Sequence, residues 1–197
     1  MPVKLTGDWG LTKRILAQAP VKVRRAYQQT LRREAHALRA EMIRGITSQA
    51  PGGEPFKPLS EVTLAIRQMR GFTGTKALIH RGDLRNAINV IIRNDEAFVG
   101  VPRKARTQDK HRLIDVAKVH EFGAGPFVIT KTKKMMDFLF AALRNAGIKP
   151  SSGGNKNSVI IVKIPARPFI RPVFDKYFKE GGKRFLEKLS NNLKLKV

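Results

Sequence analysis

Between residues 21 and 49 apolar side chains return every three or four positions, at Tyr27, Leu31, Ala35, Leu38, Met42 and Ile46. Only an α-helix places such a set on one face, because strand side chains alternate with a period of two. Lys22, Arg25, Arg32, Arg33, Arg39 and Arg44 fall mostly off that stripe, so one side packs and the other is strongly cationic. Pro20 marks the start, and Ala50-Pro51-Gly52-Gly53 stops the helix. Residues 1–20 read as an N-terminal arm, in which Leu11, Ile15 and Leu16 make a turn or two ending before Pro20.

The rest of the chain reads as short mixed elements. After a proline-rich bend at 51–58, a second helix runs from Ser60, a natural N-cap, to Arg70. Leu84, Ile88, Val90 and Ile92 alternate on one side of a strand; Asn94-Asp95-Glu96 turns it, and Ala97 to Val101 returns as its hairpin partner. Gly82, just before that strand, supplies a turn with positive φ. Ile114 to Phe122 reads as a helix closed by Gly123, 126–131 as a strand, and Met135 to Ala146 as a buried helix. A flexible loop at 150–158 leads to a strand from Val159 to Ile164, with Ile160, Val162 and Ile164 on one face. Pro165 and Pro168 take the chain out of the sheet. A last helix carries Phe174, Phe178, Phe185, Leu189 and Leu193 and is weakened at Gly181-Gly182. The expected fold class is α+β: a small antiparallel sheet packed by a long N-terminal helix and a C-terminal helix. The 197 residues suit a single domain.

Lys and Arg number 39 against 15 Asp and Glu, a net charge of +24. Solubility alone asks for about 2–8 in a small domain, so the surplus points to nucleic acid, an anionic membrane or an acidic protein surface. Two clusters stand out as facing DNA or a partner: Arg103, Lys104, Arg106, Lys110 and Arg112 on one loop, and Lys131, Lys133 and Lys134 on another. Neither is interleaved with aromatics, which suits sequence-independent phosphate contact better than base stacking. No run of apolar residues is long enough for a membrane-spanning helix, and Met1 to Gly10 lacks the apolar core of a signal peptide.

Chemistry-bearing patterns are sparse. Without cysteine there is no disulfide, thiolate site or Cys nucleophile. His120-Glu121 opens a zinc-protease-like string but has no second histidine at the required spacing. Gly71-Phe72-Thr73-Gly74-Thr75-Lys76 lacks the Lys-Ser/Thr order of a phosphate loop, and its Gly-x-x-Gly lies in the wrong strand–helix order for a KH loop. A nuclease needs clustered carboxylates for metal ions, and these acids are scattered. The expectation is therefore no catalytic, metal or cofactor site.

The order of short motifs is more informative. Pro58-Leu59 and Thr63 are followed by Leu78-Ile79-His80-Arg81-Gly82-Asp83-Leu84-Arg85, then a hairpin ending Val99-Gly100-Val101. After these stand Val119-His120-Glu121-Phe122-Gly123 and Ile164-Pro165-Ala166-Arg167-Pro168-Phe169-Ile170. Over about residues 40–185 this order resembles the phage virion morphogenesis family, which includes tail completion proteins of the phage Mu G type. The chain departs from the family pattern in two places: Phe56 replaces the usual tryptophan of the proline bend, and 124–158 is longer, as an insertion would be.

The resemblance implies a non-catalytic α+β subunit of the virion, assembled in the host cytoplasm. It implies a homo-oligomeric ring, a hexamer by analogy with tail symmetry, either as tail terminator or as neck adaptor. Partners would be the tail tube or sheath, the neck or connector, and the DNA passing through the centre; no membrane is implied. Arg167, held between two prolines, is expected to point outward to a neighbouring subunit. Phe169 is expected to anchor the last helix in the core, with a subunit contact as the other reading. A free, sequence-independent nucleic-acid-binding protein shares the charge argument and is the alternative.

Overall fold

The structure, a computed structural model, describes residues 9–149, 159–179 and 181–193, with side chains from residue 17 onward. Helix α1 (Trp9–Ser48) is the spine, 40 residues and so about 60 Å long. The expected stripe is its packed face: Ala35, Leu38, Met42 and Ile46 are buried, and Tyr27 and Leu31 half-buried. The arm reading is corrected here, because α1 runs straight through Pro20. Proline deletes one N–H and crowds the carbonyl four residues back, but restarting a helix costs a new nucleus that continuing it avoids.

A turn of 3₁₀ helix at Pro51–Gly53 follows. Helix α2 (Glu61–Met69) has the expected cap: the Ser60 hydroxyl accepts from the Thr63 N–H at 3.3 Å. The strand expected from Leu84 begins later. Asp83–Ala87 is a short helix, α3, and only Asn89–Arg93 is strand β1. The step of four from Leu84 to Ile88 fits a helical turn as well as a strand. Gly82, at φ 84°, carries the chain into that turn. Strand β2 (Glu96–Gly100) pairs antiparallel with β1, Val90 opposite Val99 and Ile92 opposite Ala97. Arg24 and the Tyr27 hydroxyl tie the hairpin turn to α1 through Asp95.

Helix α4 (Leu113–Phe122) ends at Gly123. Strands β3 (Ala124–Thr130) and β4 (Val159–Ile164) pair antiparallel with each other and not with β1–β2. The one small sheet expected is therefore two separate ribbons. Helix α5 (Lys133–Asn145), expected to be buried, packs one face on α2 and fully buries only Ala142 and Leu143. The segment expected as an insertion thus supplies β3 and α5, while its loop at 150–158 lies outside the described residues. The single C-terminal helix is divided ahead of the glycine pair into α6 (Arg171–Phe178) and α7 (Gly181–Leu193).

Two cores result. The larger joins Leu38, Met42 and Ile46 of α1 to Leu84, Ile88, Leu113, Phe169 and Val173. The smaller is Ala65 of α2 with Ala142 and Leu143 of α5. Helix α7 lies on α1 over Glu34, a buried carboxylate that accepts from the Tyr177 hydroxyl, Arg184 and Lys188.

Candidate assembly surfaces

The motifs that are far apart in sequence dock on one another. Both Glu121 carboxylate oxygens cap the entry to α6, accepting from the main-chain N–H groups of Phe169 (2.9 Å), Ile170 (3.1 Å) and Arg171 (2.8 Å). A carboxylate at a helix start satisfies orphan donors and meets the positive end of the dipole. The Arg167 N–H donates to the His120 carbonyl at 2.7 Å. Gly123, at φ 77°, allows this approach: a Cβ there would stand 3.0 Å from both the Ala166 nitrogen and the Ile164 oxygen.

This docking corrects the outward reading of Arg167. Its residue is only 6% exposed, with Nε donating to the Lys57 carbonyl (2.7 Å) and Nη2 to the Pro58 carbonyl (2.8 Å). The prolines remove main-chain donors but leave free carbonyls, and the guanidinium satisfies those of the first proline bend. Phe169 is fully buried in the larger core, as the core reading had it, and offers nothing to a neighbouring subunit.

The same motifs line a cleft of about 1110 Å³ between α2, the 78–84 run, α4 and β4. Its walls are apolar, with Val62 and Ile66 of α2 facing Val162 and Ile164 of β4. Five Lys or Arg side chains and two Asp also line it. Of these charges Arg81 and Asp109 pair at 2.9 Å. Arg67 donates to the Gly74 and Lys76 carbonyls (3.1 and 2.9 Å), and neither it nor Arg167 has a carboxylate partner among the described residues. Burial, with Arg167 close by, lowers the pKa of Arg67. Burial and the same two guanidiniums lower that of His120, whose buried Nδ1 has no hydrogen-bond partner. Lysine and arginine outnumber acids along the cleft, whose lining carboxylates are Asp83 and Asp109.

The predicted basic clusters sit on two different limbs. Arg103, Lys104, Arg106, Lys110 and Arg112 are exposed on the loop before α4, with Arg112 paired to Asp115 at 3.5 Å. Lys133 and Lys134 are exposed in the first turn of α5, which contains no acid, and Lys131 is half-buried just before it. Cations at a helix N-terminus oppose the dipole, so fold stability does not account for them. With 39 Lys and Arg against 15 Asp and Glu, the acids are too few to neutralise most of the positive charge.

The β3–β4 ribbon was not marked as a surface by its sequence, yet it is the most exposed apolar feature. Val128 and Ile161 are directly opposite in register and 68% and 69% exposed. The alternation of Val159–Ile164 signals a strand with one covered face; the apolar residues at the other positions were the available hint that both faces are used.

Among the described residues no helix is long and apolar enough to cross a membrane, and no group of three His, Asp or Glu is placed to hold a metal ion. The α+β fold thus presents a cationic surface with uncovered apolar side chains. The chain matches the model of the phage virion morphogenesis family over residues 11–176 and belongs to that family. No curated protein and no solved structure matches it. Membership assigns it to phage particle assembly, a structural rather than an enzymatic role, and makes it virion-associated.

Proposed function

We propose that this protein completes the phage tail by forming a homo-oligomeric ring at the head–tail junction, around the channel through which DNA passes. The observation that carries the ring is the β3–β4 ribbon. A two-stranded ribbon is marginally stable alone in water, and this one exposes Val128 and Ile161 on one face, with an edge on each strand that is unpaired among the described residues. An adjacent copy covers that face and pairs with the outer edge of β3, and a head-to-tail contact of this kind closes into a ring.

The charge has a place in this arrangement. The loop with Arg103, Lys104, Arg106 and Lys110, and the α5 start with Lys133 and Lys134, contact phosphates of the passing DNA without reading bases. A ring of subunits each at +24 repels itself, so polyanion or acidic tail and connector surfaces favour its assembly.

Particles made without this protein test the reading. Separate heads and tails, or tails of irregular length, are expected by electron microscopy. Normal joined particles would overturn it.

A further inference from the structure

We infer that the cleft between α2 and β4 is a docking groove for an extended segment of a partner protein, one that alternates acidic and apolar side chains and adds as a strand to the free edge of β4. The inference goes beyond the ring reading and does not depend on it.

Three features of the cleft carry it. First, Val162, Lys163 and Ile164 all line it, although successive strand side chains point to opposite faces. The strand therefore meets the cleft along its edge. Because β4 pairs only with β3 among the described residues, that edge retains unused N–H and C=O groups. An added strand satisfies them, as in other cases of strand addition.

Second, the walls across from β4 are apolar and incompletely covered. Val62 is 40% exposed, and Ile66, Val162 and Ile164 are half-buried. Apolar side chains at every second position of an incoming strand would bury against them. Third, the charges are complementary to acids. Lys163 is exposed, and Arg67 and Arg167 spend their donors on neutral carbonyls with no carboxylate partner among the described residues. Carboxylates at the intervening positions would reach Lys163 and the Arg67 side, where charge-assisted bonds replace neutral ones.

Other occupants fit less well. Duplex DNA would use the cations but bury none of the valine and isoleucine surface. A second copy would bring another +24 to a cationic rim.

The test uses the full chain and a blocked octapeptide of two Asp-Val-Glu-Ile units, with a counterpart carrying Lys at every acid. Fluorescence anisotropy is expected to show the acidic peptide binding at least tenfold more tightly than the basic one. Hydrogen exchange is expected to show the peptide slowing amides of Val159–Ile164. The double variant Val62→Asp with Lys163→Glu is expected to weaken binding at least tenfold. Val23→Asp with Lys22→Glu, the same charge change on exposed α1 positions, is expected to alter it less than twofold.

Absence of binding at millimolar peptide overturns the inference, as does equal weakening by both double variants. So does displacement of the peptide by a 20-bp duplex, which would assign the cleft to nucleic acid. Slowed β4 exchange that appears with rising protein concentration alone would assign it to a second copy, and also overturns it.

Discussion

The body around α1 and the limb formed by α2, α5 and the β3–β4 ribbon are built on different terms. The body buries large side chains from α1, α3, α4, α6 and the segments that join them, with Met42, Ile46, Ile88 and Phe169 fully enclosed. The limb encloses two alanines and one leucine, and leaves Val128, Ile161 and Phe140 partly or largely in solvent. Burying large side chains stabilises a fold by itself, at about 1.5–3 kcal/mol for each. The limb has little of that and much unfilled apolar surface. The difference separates a scaffold that stands alone from a surface completed by other molecules.

The contrast can be broken most forcefully at Phe169. Replacing it with Ala should cost about 3–5 kcal/mol in urea unfolding, the range for a large aromatic removed from a packed core. A loss below about 1 kcal/mol would show that the body is not organised around it.

Glu34 comes next. Burial alone would raise its pKa, but bonds from Lys188, Tyr177 and Arg184 more than offset this and lower it. Removing a paired buried carboxylate costs about 3–5 kcal/mol when the partners are enclosed. Arg184 and Lys188 reach solvent, so Glu34→Ala should lose about 2 kcal/mol after screening. A carboxyl with a lowered pKa stabilises above its ordinary value near 4.5, and that stability drains as pH falls toward the folded value. Tyr177 is pushed up to about 12 by burial and by Glu34. Its neutral form is the stabilised one, so its contribution is complete below pH 10 and is lost as pH climbs from there past 12. Wild-type stability should therefore fall at both ends, and Glu34→Ala should flatten both slopes. Unchanged slopes would remove Glu34 from the account.

The limb should answer differently. Leu143→Ala should cost about 2 kcal/mol locally, seen as faster exchange of α2 and α5 amides while amides of α1 near Met42 keep their protection. Equal acceleration in both regions would mean one cooperative unit and erase the distinction. The smallest effect on the isolated subunit should come from Ile161→Lys, within about 0.5 kcal/mol because the side chain is exposed. The same change should abolish ring formation. Retained rings would release the ribbon from its proposed role.

The body was largely legible in the sequence and the limb much less so. The stripe from Tyr27 to Ile46, the Ser60 cap, the β1–β2 turn at Asn94-Asp95 and the stop at Gly123 all follow from local spacing and turn chemistry. Pro20 misled because local propensity says break while cooperativity carries a long helix through. Leu84 misled because a step of four belongs to a helical turn as readily as to a strand. Arg167 was read outward from its flanking prolines, but its acceptors are carbonyls about 110 residues earlier, and no spacing rule reaches that far. Glu34 has its partners more than 140 residues away, beyond the reach of any local pattern. The basic loops were found as charge, whereas the apolar ribbon and the anion-poor cleft required the chain to be folded before they could be seen. Resemblance through motif order held because those motifs dock on one another, His120 and Glu121 with Arg167 to Arg171.

An averaged image of the head–tail joint, resolved well enough to trace this chain, tests the central claim most directly. The account predicts a closed ring of copies with the β3–β4 ribbon between neighbours, Val128 and Ile161 covered, and the 103–112 loop turned to the channel. A joint without the chain, or a ring whose ribbons stand free in solvent, would contradict it.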